Sequence, residues 1–362
     1  MQIDFANLQY QYQLYKTEID EAMQAVLDKS DYIMGSAVTE LERSLESFTG
    51  AKHAITCGNG TDALLLAMMA LDIQPDDEII TTPFTFIATA ETIAFMKAKP
   101  VFVEIDEKTY NIDPSKIEAA ITKKTKAIMP VSLYGQPADM DAIQAIADKY
   151  DLKVILDGAQ SFGATYKGKS DSALGDISTT SFFPAKPLGC FGDGGALFTN
   201  DDHLAAKLRS LRIHGQTKRY HHQYIGMGGR MDTLQCAIVN VKLKYYAKDL
   251  ALRQEAAAKY SKALEGKDLI LPFVQRDLTS SYAQYSIRVK NRDTLQESLK
   301  EHGVPTAVHY PMPLHLQECF GYLGLQKGDF PICEAVSDEI LSLPMNPYIS
   351  DEEIAFVASQ LK

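Results

Sequence analysis

Between residues 50 and 200 the chain repeats one pattern: a short apolar run, a helix-like stretch, then another apolar run. The runs are 52–57 (KHAITC), 78–81 (EIIT), 100–105 (PVFVEI), 126–132 (KAIMPVS), 153–157 (KVILD), 177–183 (ISTTSFF) and 195–199 (GALFT). Short continuous runs of this kind read as strands buried on both faces. Helices over 61–71, 87–97, 114–122 and 139–150 then cover a mostly parallel sheet. The predicted class is α/β, a three-layer sandwich. The last two runs stand too close for a helical crossover, so a structured loop and one antiparallel strand are expected there. Segment 232–265 has a helical period and no proline. It predicts a long helix leaving the large unit, with a break near Asp249 left open. A strand at 284–289 and helices at 292–302 and 351–361 predict a smaller α+β unit. The expected division is a large unit over residues 1–250 and a small one over 251–362.

Charge narrows the partners. A net charge of −11 argues against nucleic acid or an anionic membrane as the general partner. An anionic substrate must therefore be held by local basic residues. The five cysteines (Cys57, Cys190, Cys236, Cys319, Cys333) are scattered, with no CxxC pair. That fits reduced thiols in a cytoplasmic protein better than a disulfide framework or a zinc site. The N-terminal stretch lacks the pattern of a secretory signal, and no apolar run approaches a membrane span.

Three motifs carry chemistry. Gly58-Asn59-Gly60-Thr61-Asp62 follows a strand and opens a strongly apolar helix. Free amides at a helix N-terminus form an anion site, and glycine lets a ligand come close. Gly60, Thr61 and Asp62 are the candidate phosphate cradle, with Asn59 or Thr61 as cap; an ordinary capped turn fits the same residues. Asp157 closes a strand at the edge where open α/β sheets bind ligands. It suits the partner of a protonated ring nitrogen, and equally a helix cap or a metal ligand. Lys186 lies before Pro187 in an apolar, glycine-rich loop, where burial would lower its pKa and make its amine nucleophilic. Ser181 could add a hydroxyl to the phosphate site. Phe86 is placed to stack on a flat ring, although core packing explains it as well. Together these are the handles that pyridoxal phosphate requires.

The combination resembles the DegT/DnrJ-type sugar aminotransferases, of fold-type-I (aspartate-aminotransferase-like) architecture. The likeness rests on DYIMG (31–35), GNGTDAL (58–64), TPFTFIATAE (82–91), VSLYGQPADMD (131–141), LDGAQSFGA (156–164), SFFPAKPLGCFGDGGA (181–196), GGRMDTLQCA (228–237) and VHYPMPLH (308–315). The resemblance implies that Lys186 forms the Schiff base and that Asp157 pairs the pyridine nitrogen. It puts Gln160 near the ring hydroxyl, Thr61, Asp62 and Ser181 on the phosphate, and Phe86 on the ring. It also implies a homodimer with the active sites at the interface. Two positions depart from the family. Gly228 stands where an Asn from the neighbouring subunit usually reaches the phosphate, and Gly158 stands where Ala is frequent. Lys186 itself separates the chain from the family's dehydratase branch, which has His there.

The stretches SLYGQ, IHGQTKRYHH (213–222), SSYAQYSIRV (280–289) and GVPTAVHYPMPLH (303–315) resemble most the members that aminate carbon 3 of UDP-2-acetamido-2-deoxy-3-oxo-D-glucuronate. L-glutamate is the implied donor and a UDP-linked keto sugar the acceptor. Such a substrate needs basic and hydroxyl donors. Arg230, His309 and Tyr310 are the candidates, with Tyr32 by analogy. His214, Lys218, Arg219, His221 and His222 fit equally well as a solvated loop. Another nucleotide-linked keto sugar, or a non-catalytic regulatory protein on the same fold, are the alternatives.

Overall fold

The computed structural model describes residues 3–361. Seven strands form the central sheet: β1 (His53–Cys57), β2 (Glu78–Thr81), β3 (Lys99–Phe102), β4 (Thr125–Ile128), β5 (Lys153–Asp157), β6 (Ile177–Ser181) and β7 (Gly195–Thr199). Their spatial order is β1-β7-β6-β5-β4-β2-β3. Strands β2 to β6 run parallel to one another, whereas β7 runs antiparallel to both β6 and β1. All seven predicted runs are therefore strands, and the antiparallel one lies where the short spacing placed it.

Alternation along the strands divides the core between two helical layers. Ile79, Ile155, Ile177 and Leu197 face the buried helix α3 (Gly60–Ala70), through Leu64, Leu66 and Met68. The next residues along, Ile80 and Leu156, face α6 (Met140–Tyr150). Phe198 faces α2 (Ser36–Thr49) and α8 (Thr233–Ala263). The sheet is thus buried on both sides, which its continuous apolar runs required. Helix α1 (Leu8–Lys29) lies against α8, and neither α1 nor α2 was read from the sequence.

Helix α8 is unbroken over 31 residues. A break near Asp249 was open because a mid-helix Asp competes for its own backbone. Here its carboxylate is claimed from elsewhere, by Gln11 Nε2 (3.2 Å), Tyr15 Oη (3.3 Å) and Tyr348 Oη (2.8 Å). The C-terminal part builds on β8 (Tyr285–Arg288) and β9 (Ile340–Leu343), an antiparallel pair. Ala256, Ala257 and Tyr260 from the end of α8 enter its core, and so does Ile3 from the start of the chain. Helix α11 (Asp351–Gln360) closes it, held by a capping box between Ser350 and Glu353.

Candidate active site

Strands β5 and β6 are neighbours, and their carboxyl ends carry Asp157 and Ser181. After β6 the chain makes a tight loop. Phe182 N–H donates to Gly194 C=O (2.7 Å), Cys190 N–H to Phe182 C=O (2.8 Å) and Lys186 N–H to Phe183 C=O (2.8 Å). A Cβ on Gly189 would lie 2.5 Å from Pro184 O, so only glycine fits that turn. Buried Lys242 of α8 donates its amine to Gly189 C=O and clamps the loop from behind. The Lys186 amine is left unclaimed. Burial lowers its pKa, the Asp157 carboxylate pulls it part of the way back, and no hydrogen-bond partner among the described residues acts on it.

Asp157 is 5% exposed. Its Oδ2 accepts from Thr89 Oγ1 (2.7 Å), and its Oδ1 from the Ala159 amide (3.2 Å). Thr89 is itself 3.0 Å from Thr85 Oγ1. Burial pushes the Asp157 carboxyl up, while the Thr89 hydroxyl, the Ala159 amide and Lys186 pull it down. Thr85 and Thr89 were missed in the sequence. Hydroxyls four residues apart in an otherwise apolar segment were the available signal.

The cradle lies at the start of α3. Asn59 caps the helix, its Oδ1 accepting from Asp62 N–H (2.8 Å), which leaves the Gly60 and Thr61 amides at the positive end. A Cβ on Gly60 would sit 2.9 Å from Ser181 Cβ. Its absence keeps the space between the helix end and the Ser181 hydroxyl clear. Asp62 behaves differently. Its amide goes to Asn59, and its carboxylate folds back to within 2.5 Å of where a Gly58 Cβ would be.

Gln160, 4% exposed, accepts Tyr134 N–H at Oε1 (2.6 Å) and donates from Nε2 to Tyr310 Oη (3.0 Å). Tyr134 Oη donates to His309 C=O. Phe86 is 55% exposed, its ring 6.1 Å from that of Tyr310, so core packing does not explain it. Burial and the nearby Lys186 ammonium push His309 down to about 4. Both effects disfavour the charged imidazole.

The structure brings Lys186, Asp157, Gln160, His309, Tyr310 and Phe86 together beside the cradle of Gly60, Thr61 and Ser181. Of the other candidates, Gly228 and Arg230 lie on the segment beside the cradle loop. Gly58 N–H donates to Gly229 C=O (3.0 Å), so residues 228–230 run alongside the cradle loop. Gly228 is exposed, and a Cβ there would lie 3.1 Å from the His214 ring and 3.8 Å from the Arg230 guanidinium. Tyr32, 45% exposed, accepts Thr233 N–H at its C=O (3.0 Å) and is tied to the start of α8. Lys218, Arg219, His221 and His222 form an exposed hairpin, with Arg219 over the Tyr220 ring and His222 Nδ1 on His214 C=O (2.9 Å).

A nucleophilic amine, a buried carboxylate beside it, an open aromatic face and a helix-end cradle fit a flat, phosphate-bearing aldehyde ring. Comparison with known proteins agrees. The DegT/DnrJ/EryC1/StrS aminotransferase family profile matches residues 13–362. UDP-2-acetamido-2-deoxy-3-oxo-D-glucuronate aminotransferase of Pseudomonas aeruginosa is 51% identical over 359 residues, 99% of each chain. A pleiotropic regulatory protein of Geobacillus stearothermophilus is 46% identical over 364 residues, 100% of this chain and 98% of the other. The crystal structure of NtdA from Bacillus subtilis, with bound cofactor PMP, superposes with a TM-score of 0.92 at 31% identity, covering 99% of this chain and 84% of that one.

Proposed function

The chain belongs to the DegT/DnrJ/EryC1/StrS aminotransferase family, and from that premise we propose that it is a pyridoxal-phosphate-dependent sugar-nucleotide aminotransferase. The reaction moves an amino group from L-glutamate to the 3-keto carbon of UDP-2-acetamido-2-deoxy-3-oxo-D-glucuronate, giving a 3-amino sugar for cell-surface polysaccharide. The reaction class is supported by the unclaimed Lys186 amine near the Asp157 carboxylate, and the sugar by 51% identity over 99% of the chain to the Pseudomonas aeruginosa enzyme. A purely regulatory protein has no need of either group.

The bound cofactor supplies an aldehyde for amine condensation and a ring that takes up the electrons of a carbanion. This chain's residues do the rest. Gly60, Thr61 and Ser181 would hold the phosphate, the first two through amides and the last through its hydroxyl. Asp157, fixed by Thr89 and Ala159, would keep the ring nitrogen protonated. Phe86 would cover the ring, and Gln160 would face its hydroxyl. Lys186 Nζ would take up the proton from the donor's α-carbon and hold it for return, roles that its lowered pKa suits. Arg230, His309, Tyr310 and Tyr32 are the candidates to hold the anionic sugar.

We further propose a homodimer, which would bring Gly228, Arg230 and Tyr32 of one subunit to the site of the other. Exposed Tyr32, Ile33, Met34, Phe183 and Ile225 support it. A cytoplasmic location accords with free cysteines. No helix among the described residues is long and apolar enough to cross a membrane. The division at residue 250 stands as a proposal too, with α8 shared by both units.

The test is turnover. Purified protein with glutamate and a panel of 3-keto and 4-keto UDP- or dTDP-sugars is expected to release 2-oxoglutarate with the 3-keto uronate. Release with 4-keto sugars alone would remove the assignment. A smaller test concerns the cradle. Gly60→Ala, which brings a methyl against Ser181, is expected to weaken cofactor binding about tenfold, read by titrating the apoprotein.

A further inference from the structure

One buried ion pair links the cradle to the segment that carries Arg230. Arg212, 3% exposed, stands at the end of α7 (Asp202–Leu211). A single nitrogen of its guanidinium, Nη1, donates to Thr56 C=O (2.7 Å) and Thr56 Oγ1 (3.0 Å) and pairs with the Glu42 carboxylate of α2. Glu42 Oε1 also accepts the Thr56 N–H and the Thr56 hydroxyl, at 3.0 Å each. Strand β1 lies at the edge of the sheet. The ion pair therefore satisfies main-chain groups of Thr56 that have no strand beside them.

The main chain of Arg212 makes the second half of the link. Its C=O accepts Gly229 N–H (3.0 Å), and Gly229 C=O accepts Gly58 N–H (3.0 Å). The circuit is closed. It runs from the Arg212 side chain to Thr56, along the chain to Gly58, across to Gly229 and back to the Arg212 carbonyl. Gly58 opens the cradle, and Gly229 sits between Gly228 and Arg230. A Cβ on Gly58 would lie 3.6 Å from Arg230 C=O, so the main chain at Arg230 rests against the cradle turn. Two more bonds hold the same segment to the residues around Arg212: Met227 N–H to Leu211 C=O (2.9 Å) and His214 N–H to Met227 C=O (3.0 Å).

Stability gives little reason for the pair. The cost of burying two charges is often as large as their attraction, and Arg212 Nε is buried without a hydrogen-bond partner among the described residues. We propose that Arg212 and Glu42 are positioning residues that hold the arm carrying Gly228 and Arg230 at a fixed distance from the phosphate cradle. In the homodimer proposed above, this arm is the part lent to the neighbouring site. The pair then fixes the cradle of each site to the arm offered to the other, and anion-binding groups on both must be placed closely to act together. What the cradle and the arm bind rests on the aminotransferase reading; their fixed spacing does not.

Hydrogen exchange of the holoenzyme, read by mass spectrometry, tests this. In the wild type the Gly58 and Gly229 amides are expected to open together, with protection equal within about threefold. Replacing both partners, Glu42→Met with Arg212→Met, leaves no lone buried charge. That variant is expected to exchange residues 56–60 and 227–231 at least about tenfold faster, with β5 unchanged. The KM for the sugar is expected to rise about tenfold while kcat stays within about threefold. Arg212→Lys, whose ammonium can make all three contacts from one nitrogen, is expected to keep the wild-type exchange and KM. Wild-type amides at Gly58 and Gly229 whose protection differs more than about tenfold overturn the proposal, and that measurement stands even where a variant does not fold. So does a folded double variant that keeps wild-type exchange in both segments, or one that loosens β5 equally, which would make the pair a general prop. Because exchange needs no turnover, a failed sugar assignment leaves this result standing.

Discussion

Lys186→Ala is expected to cut transamination by about 10,000-fold and to leave the cofactor-soaked protein without its yellow absorbance. The loss is chemical, because the loop does not depend on the amine. Its turns are held by backbone bonds among Phe182, Phe183, Cys190 and Gly194, and by Lys242 on Gly189. The thermal midpoint is therefore expected to stay near that of the wild type. Lys186→Arg is the sharper control. A guanidinium keeps its proton at any working pH and can neither condense nor exchange a proton, so it is expected to be as inactive as alanine. Turnover within tenfold of wild type in either variant would remove Lys186 from the chemistry.

Asp157→Asn is expected to lower kcat about 1,000-fold while leaving the apoprotein as stable or more so. The carboxamide keeps an acceptor for Thr89 but has no negative charge to hold a ring nitrogen protonated. The stability half follows from burial. Because burial raises the carboxyl's pKa in the folded state, folding takes up protons relative to the unfolded chain. The contribution of this group is complete below the unfolded value of about 3.9 and is lost as pH rises through the folded one. Near neutral pH the wild-type apoprotein thus carries the strain of a buried anion that the variant lacks. Thermal melts of both apoproteins at acid and neutral pH read the difference: the gap should widen as pH rises. A variant that melts lower at neutral pH than the wild type would contradict this account.

The sheet was legible because strands buried on both faces leave an unmistakable apolar signature, and each of the seven runs became a strand. Helices α1 and α2 were not. Helix α1 is polar and largely exposed, with Gln11, Ile19 and Val26 its buried residues, and it is ordered by packing on α8, which no local pattern encodes. Asp249 misled for the same reason: its partners Gln11, Tyr15 and Tyr348 come from distant parts of the chain. Within the site, Lys186, Asp157 and Gly60 could be read because each breaks a local rule of its segment. Thr89 and Tyr134 act through contacts 68 and 175 residues away in sequence. Such residues become visible only when the fold has brought their partners near.

Helix α8 has a mechanical consequence. Its first half is embedded among α2, Phe182 and Phe198, and its last turns are locked into the C-terminal core. At 31 residues it is a rod of about 46 Å, free of proline or glycine at which to bend. A hinge is thereby denied along this helix, between the sheet-bearing part and the C-terminal core. A bulky nucleotide must therefore reach the site without the C-terminal part swinging away about this helix.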